Sequence, residues 1–340
     1  DAAAALGARI ALFSRNYNDV IRYANMLLPT PTQHFALSYT DDTPVLNADG
    51  SPAQGVDPND AADQFMRSNL HDWRTYIKSG NPDQMGTDFT SASANANLLL
   101  TECVTLAYRE MVGTAYVRHA MERTAMVTLL TENVTGDPWI FQNVAYQWNG
   151  GRTYWLPKFY EDFKIDNPVA QTGVPYSKCA LLRLEEVLLA RAEAYAMLGN
   201  YDGALDDLNM FAACRIDDYA YGPNTLYKDK LTDYYTAQLN APDHFINSAY
   251  NAGRFKAGDE GNVQKALILT VLDFRRIEFL YEGIRYWDVL RWNIPVTHTT
   301  IDGATSTLTP DDDRRILQIP QIATASGIQL NDMVNIPYPW

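Results

Sequence analysis

Ala192-Glu-Ala-Tyr-Ala-Met-Leu-Gly-Asn-Tyr-Asp-Gly-Ala-Leu-Asp-Asp-Leu-Asn-Met210 reads as two helices that turn at Gly199-Asn200. A copy lies 184 residues earlier, in Ala8-Arg-Ile-Ala-Leu-Phe-Ser-Arg-Asn-Tyr-Asn-Asp-Val-Ile-Arg-Tyr-Ala-Asn-Met26. Asn16-Tyr17 matches Asn200-Tyr201, and Asn25-Met26 matches Asn209-Met210. Each copy has a small residue on its first helix (Ala8, Ala192), a turn with Asn before an aromatic, and a small or β-branched residue three positions on (Val20, Ala204). This is a tetratricopeptide pattern, in which small residues let two antiparallel helices approach while the Tyr wedges between them. Two copies so far apart do not make a continuous solenoid, so other helices must complete the stack.

Outward from this hairpin, helical periodicity extends over about Asn97–Thr131 and again over Gln264–Trp292. Leu182, Val187, Leu188, Ala190, Ala194 and Tyr195 give the central stretch Leu181–Cys214 its apolar positions. Thr30–Gly86, with Pro31, Pro44, Pro52, Pro58 and Pro82 among many Asp and Asn, has loop composition. Gly136–Gly173 is also irregular but concentrates Trp139, Phe141, Tyr146, Trp148, Tyr154, Trp155, Phe159 and Tyr160. The predicted fold is mostly α: tetratricopeptide-like helical repeats form a scaffold with long irregular loops, within a single domain spanning 1–340. The repeat elements fall at about 1–28, 97–131, 181–214 and 264–292, and the loop-rich segments at about 30–86 and 136–173.

Composition excludes several classes. Hydrophobic residues make up 46% against 20% charged, in a chain of 340 residues, so a sizeable core is expected. No stretch of about 18 residues lacks a polar break, which excludes a transmembrane helix. The net charge of −14 would repel a phosphate backbone, so nucleic acid is not an expected partner. Cys103, Cys179 and Cys214 are an odd number without a C-x-x-C pair, and no disulfide framework or zinc site follows from their spacing. The five His residues are scattered without ligand spacing, so neither a metal nor a cofactor is expected. Asp1–Arg9 carries no targeting signal.

In Leu272-Asp-Phe-Arg-Arg-Ile-Glu-Phe-Leu-Tyr-Glu-Gly-Ile-Arg-Tyr-Trp-Asp-Val-Leu-Arg-Trp292, the charges at Arg275, Glu278, Glu282, Arg285, Asp288 and Arg291 step by three or four residues along one helical stripe. The string resembles the signature helix of the SusD/RagB family, an R-R-x-E-F-x-x-E-G-x-R-x-x-D-L-x-R-W-like run. Leu182–Tyr195 resembles the repeat helix that precedes it in the family, and Ile319-Pro-Gln321 with Leu330-Asn331 resembles the closing I-P-x-x-E-x-x-x-N segment. Ile322-Ala-Thr-Ala stands where the family tends to place Ser-Glu-Ile, so local contacts there should differ. The resemblance covers about Leu181–Trp340, with Asp1–Leu28 as an earlier repeat. It implies a non-enzymatic protein of the outer membrane and cell surface that binds oligosaccharides or polysaccharides and delivers them to a SusC-like TonB-dependent transporter. Family members begin with a lipoprotein signal, a lipidated Cys and further repeat helices, whereas this chain opens inside a repeat. Membrane attachment is thus expected only through a lipid anchor outside this chain.

Long alternating helix charges are usually structural, so the Arg275–Arg291 stripe is expected to be a partly buried ion-pair network and not a catalytic cluster. Glu185, Glu186 and Glu193 are neighbours on one helix, and a glycosidase needs two carboxyls about 5–10 Å apart across a cleft. No nucleophile elbow, P-loop or G-x-G-x-x-G is present. The aromatic segment is different, because its rings sit among Gly, Asn, Pro and Asp without helical period. Flat rings beside polar side chains suit sugar faces and hydroxyls, so Trp139, Trp148, Tyr154 and Trp155, with Asn143 and Arg152, are the candidate ligand-binding residues. Trp73 is a further candidate, and some of these rings will instead plug the scaffold. Peptide capture by a RagB-like member, a helical glycoside hydrolase and a tetratricopeptide-type adaptor are the alternative readings.

Overall fold

The computed structural model describes residues 1–30, 39–40, 43–44, 48, 58–74, 82–104, 121–147, 153–159, 161–300, 302–316 and 319–329. The chain divides into two units, Asp1–Ala237 with Phe255–Glu278 and Gln238–Arg254 with Phe279–Trp340. The first unit contains α1 (Ala2–Phe13), α2 (Tyr17–Ala24), α3 (Pro58–Asn69), α4 (Pro82–Phe89), β1 (Asn97–Val104), α5 (Arg123–Thr131), β2 (Tyr146–Gln147), β3 (Tyr154–Trp155), β4 (Glu161–Asn167), β5 (Thr172–Arg183), α6 (Leu184–Leu198), α7 (Tyr201–Arg215), α8 (Lys228–Tyr234) and α9 (Gly258–Glu278). The second contains α10 (Ile284–Trp292) and the hairpin of β6 (Val296–Thr299) and β7 (Thr305–Leu308). The architecture is mostly helical. Among the described residues no helix is long and apolar enough to cross a membrane.

The two repeat copies fold alike. Asn16 caps α2 with φ −88 and ψ 76, and Asn200 caps α7 with φ −87 and ψ 73. Each side chain accepts the backbone N–H three residues on, which satisfies one of the orphan donors of the first turn. Just before each cap the chain takes a left-handed residue, Arg15 at φ +61 and Gly199 at φ +84. Ala8, Val20 and Ala24 are buried, as are their counterparts Ala192, Ala204 and Leu208. The copies pack directly on each other: α1 and α2 lie against α6, with Ala11, Leu12, Val20, Ala190 and Ala194 forming one cluster. Helix α9 packs on α6 and α7 and so extends the stack from its other side.

Three expectations need correction. The helical reading of 97–131 holds for α5, but Asn97–Val104 is an edge strand paired antiparallel with Thr172–Arg183. A partner strand overrides weak local helical period, because sheet preference depends on cross-strand packing. The loop readings of 30–86 and 136–173 missed α3, α4 and β4. Pro58 and Pro82 open helices, where a fixed φ and a missing N–H cost nothing, and so they are starts and not breaks. The charge stripe does not ride on one helix: α9 ends at Glu278, the chain turns through Tyr281 at φ +69 and Gly283 at φ +76, and α10 begins.

Helix α6 is buried on every side from Leu184 through Ala196, although it carries Glu185, Glu186, Arg191 and Glu193. A bare buried charge would cost several kcal/mol, so partners must be supplied from other elements. Glu185 Oε1 accepts from the His71 backbone N–H at 2.9 Å and lies 2.7 Å from His71 Nδ1. Arg215, at the end of α7, donates to Glu185 at 3.1 Å and to Glu278 at 2.9 Å. Arg183, at the end of β5, donates to Glu278 at 3.2 Å, and Lys158 donates to the Glu278 carbonyl. Arg191 grips Asp207 through two bonds of 2.8 and 2.7 Å and reaches Asn25 at 3.0 Å and the Pro29 carbonyl at 2.7 Å. Arg9 on α1 holds Glu186 at 2.8 Å. The Glu278 member of the signature stripe thus belongs to a buried structural network. In the second unit, Arg291 pairs with Asp288 at 2.8 Å.

Burial pushes the Glu185 carboxyl up, but His71, Arg183 and Arg215 outweigh it and hold it well below the ordinary 4.5. Glu278 is likewise lowered, with burial opposed by Arg215, Arg183 and Lys158. Carboxylates lowered in the folded state contribute stability that is present above the ordinary glutamate value and lost as pH falls through the folded one. Arg215→Met removes a partner from both carboxylates and should lower stability by about 3–5 kcal/mol at neutral pH. The gap from wild type should narrow in urea titrations taken below pH 4.5; an equal urea midpoint at pH 7 would refute the network. Ala204→Leu, placed where α7 crosses its neighbours, should cost about 1–3 kcal/mol by overpacking, and an unchanged melting curve would show that the repeat register is misassigned.

Candidate functional site

The aromatic candidates fall into two groups. Trp73 and Trp139 are wholly buried, and Trp155 is 4% exposed. Trp139 sits among Phe141, Phe211 and Phe274 at centroid distances of 6.1, 5.7 and 5.4 Å. Trp73 stacks on His71 at 4.8 Å, beside Phe89 and Phe141. These three indoles are core plugs in the described structure, which corrects their assignment as exposed ligand platforms. Loop-like sequence around a Trp shows only that it is off a helix face, and a ring of this size is buried wherever a cavity will take it. Tyr154 is half-buried in β3 and Asn143 is exposed, its amide donating to Asp217 at 2.7 Å. Trp148 and Arg152 lie outside the described residues.

A groove of about 230 Å³ opens elsewhere on the first unit. Thr87, Thr90, Ser91 and Ala92, at the end of α4 and the turn after it, form one wall; Asp162 on β4 and Tyr176 and Lys178 on β5 form the other. The turn is tied down by Asn97, whose amide donates to the Phe89 and Ser91 carbonyls at 2.7 and 3.0 Å. Strand alternation puts Tyr176 and Lys178 on one face of the sheet, and the register sets Asp162 opposite Tyr176. The Tyr176 hydroxyl donates to Asp162 at 3.0 Å, a bond that pushes the phenol above its ordinary value.

The groove stands on the buried network. Phe89, the residue before Thr90, lies under the Arg183 guanidinium at 5.0 Å and 5.2 Å from the His71 ring. Arg183 also ends the strand that carries Tyr176 and Lys178. Buried Arg183 therefore links the end of β5 to the end of α4, the two elements that carry the walls. The chemistry on offer is hydroxyls, one carboxylate, one ammonium and one phenol ring, a set that orients a polyhydroxylated ligand. The volume is below the roughly 300–1,000 Å³ of pockets that enclose whole drug-sized ligands, so a longer chain would leave most of its length outside. None of these lining residues is among the sequence-based candidates. The signal was the alternation of Glu161-Asp-Phe-Lys-Ile-Asp-Asn167, a strand pattern inside a segment read as loop.

Glu185 and Glu186 of α6 are both claimed by arginines. Burial, with Asp207 and Asp202, pushes Asp206 up to about 8, but those neighbours share its helix and Asp207 is clamped by Arg191. Among the described residues no three His, Cys, Asp or Glu side chains are grouped as a metal site requires.

The SusD family model matches residues 46–309, more than half of the chain, and the chain therefore belongs to the SusD family. No curated protein matches it. Among solved structures it is similar to a SusD superfamily protein from Bacteroides thetaiotaomicron VPI-5482, with 15% identity over 84% of this chain and 48% of that one and a TM-score of 0.40. It is also similar to a SusD-like carbohydrate binding protein from Bacteroides vulgatus ATCC 8482, with 13% identity over 92% of this chain and 64% of that one and a TM-score of 0.40. A SusD-like protein from Bacteroides fragilis NCTC 9343 shows 14% identity over 97% of this chain and 64% of that one, with the same TM-score of 0.40. The chain thus spans from about half to just under two thirds of these proteins.

Trp139→Ala should lower stability by about 3–5 kcal/mol, the range for emptying a core aromatic site. Thermal and urea unfolding check this, and a variant that melts with wild type would return Trp139 to the list of ligand contacts.

Proposed function

We propose that this protein captures oligosaccharides at the cell surface without cleaving them and passes them to a TonB-dependent outer-membrane transporter. The observation that carries the reading is membership of the SusD family across residues 46–309. The groove supports it: Thr87, Thr90 and Ser91 hydroxyls, Asp162 and Lys178 match sugar hydroxyls, and Tyr176 supplies a ring for a C–H face. Asp162 is the single carboxylate among the groove's described lining residues, which do not present the opposed pair that glycoside hydrolysis uses. Tyr154 and Asn143, with Trp148 and Arg152, are proposed as a second set of contacts for a longer chain.

Affinity electrophoresis against plant, host and microbial polysaccharides, with reducing-sugar assays alongside, tests the reading. Wild type should be retarded by at least one glycan and release no reducing sugar. In folded Tyr176→Ala protein, calorimetry should show that glycan weakened by about 1–3 kcal/mol, taking stacking on nucleic-acid bases as the nearest guide to magnitude, and Lys178→Ala should weaken it through the loss of an ammonium donor. A neutral glycan should bind almost independently of salt. Binding of peptides with no glycan retained, or release of reducing sugar that disappears on mutating one Asp or Glu, would overturn the proposal.

A further inference from the structure

The sheet brings together two cysteines that are 76 positions apart in the chain. In the pairing of β1 with β5, Thr101 stands opposite Cys179 and Cys103 opposite Ser177. Cys103 and Cys179 are therefore diagonal neighbours on one face, and their sulfurs lie 3.1 Å apart. Cys103 is exposed and Cys179 half-buried, so reagents in solution reach the pair. Strand β1 is at the edge of the three-stranded sheet, with β5 as its neighbour. A disulfide bond is about 2.05 Å long, and an edge strand held from one side can make the approach of about 1 Å that closure needs.

We propose that Cys103 and Cys179 form an oxidisable pair that closes a disulfide across this sheet. The oxidant is a small-molecule disulfide. The Cys103 thiol gives up its proton, and the thiolate attacks one sulfur of the oxidant, forming a mixed disulfide and expelling one small thiolate. The Cys179 thiolate then attacks the Cys103 sulfur and expels the second. Two protein thiols lose two protons and two electrons; the electrons break the oxidant's S–S bond, and the protons end on the two released thiols. Cys214 stays out of the exchange, because it is fully buried with its Sγ donating to the Ala62 carbonyl at 3.5 Å. Burial pushes that thiol up to about 12, which leaves almost no thiolate.

The bond would close a long loop that contains the aromatic segment and β4, and closing long loops removes the most freedom from the unfolded chain. It would also pin β5 from the face opposite Tyr176 and Lys178, since alternate residues of a strand point to opposite faces. Oxidation thereby stiffens one wall of the groove from behind. Such bonds persist in oxidising surroundings outside the cytosol. The inference rests on the sheet alone and stands whatever ligand the groove takes.

The purified native chain is treated with oxidised glutathione and then examined by thiol titration, intact mass, peptide mapping and melting. Wild type should lose two of its three thiols and the mass of two hydrogen atoms, yield a peptide linking Cys103 to Cys179, and melt higher, all reversed by dithiothreitol. Cys103→Ser should instead carry a single glutathione adduct on Cys179 and show no rise in melting temperature. Separate glutathione adducts on Cys103 and Cys179 in wild type, or three thiols retained, would overturn the proposal.

Discussion

Helix α6 lies inside the protein and yet carries four charged residues between Leu184 and Ala196. Several other elements of the first unit answer that constraint. The N-terminal hairpin brings Arg9 to Glu186 and Asn25 to Arg191; α7 brings Asp207 to Arg191 and Arg215 to Glu185, with Glu278 of α9 holding Arg215 in turn; and the segment after α3 brings His71 to Glu185. Replacing such a network with well-packed apolar groups is often neutral or stabilising in other proteins, so its presence is weak support for raw stability. Its consequence here is geometric. A charge that tolerates one set of partners fixes which hairpin meets which face, and it is how two repeat copies 184 residues apart come to stack directly.

The network also reaches the elements that frame the groove. Arg183 is the last residue of β5 and sits over Phe89, the last residue of α4. One arginine therefore ties the end of the strand that carries Tyr176 and Lys178 to the helix end that precedes Thr90 and Ser91. Recognition side chains on short, polar elements can stay open to solvent because the energy that places them lies underneath, in buried contacts. The tryptophans that looked like recognition residues contribute to that foundation: Trp73 and Trp139 join His71, Phe89, Phe141, Phe211 and Phe274 in one aromatic layer around the charges.

The helical hairpins were legible because their signal is local. Asn16 and Asn200 announce the caps, and the small residues at Ala8, Ala192 and Ala204 announce the crossings. The signature string was legible as a family mark and its Glu278 as a structural charge, although the turn at Tyr281–Gly283 was not, since nothing in the charge stepping reports a break. Asn97–Val104 was misread because its strand character comes from pairing with residues some 80 positions away. The proline-rich segment was misread because Pro punctuates both loops and helix starts, and only the residues that follow decide between them. The groove was illegible for the same reason as the strands: its two walls come from separate parts of the chain, and neither is a motif alone.

Buried Arg183, which joins the last residue of β5 to the last residue of α4, holds the two walls of the groove together. Hydrogen–deuterium exchange of Arg183→Met measures this directly, element by element. Protection should fall together in Pro82–Phe89 and Thr172–Arg183, while Ala2–Phe13 and Tyr17–Ala24 exchange as in wild type. Uniform loss across all helices, or unchanged exchange in both walls, would contradict it.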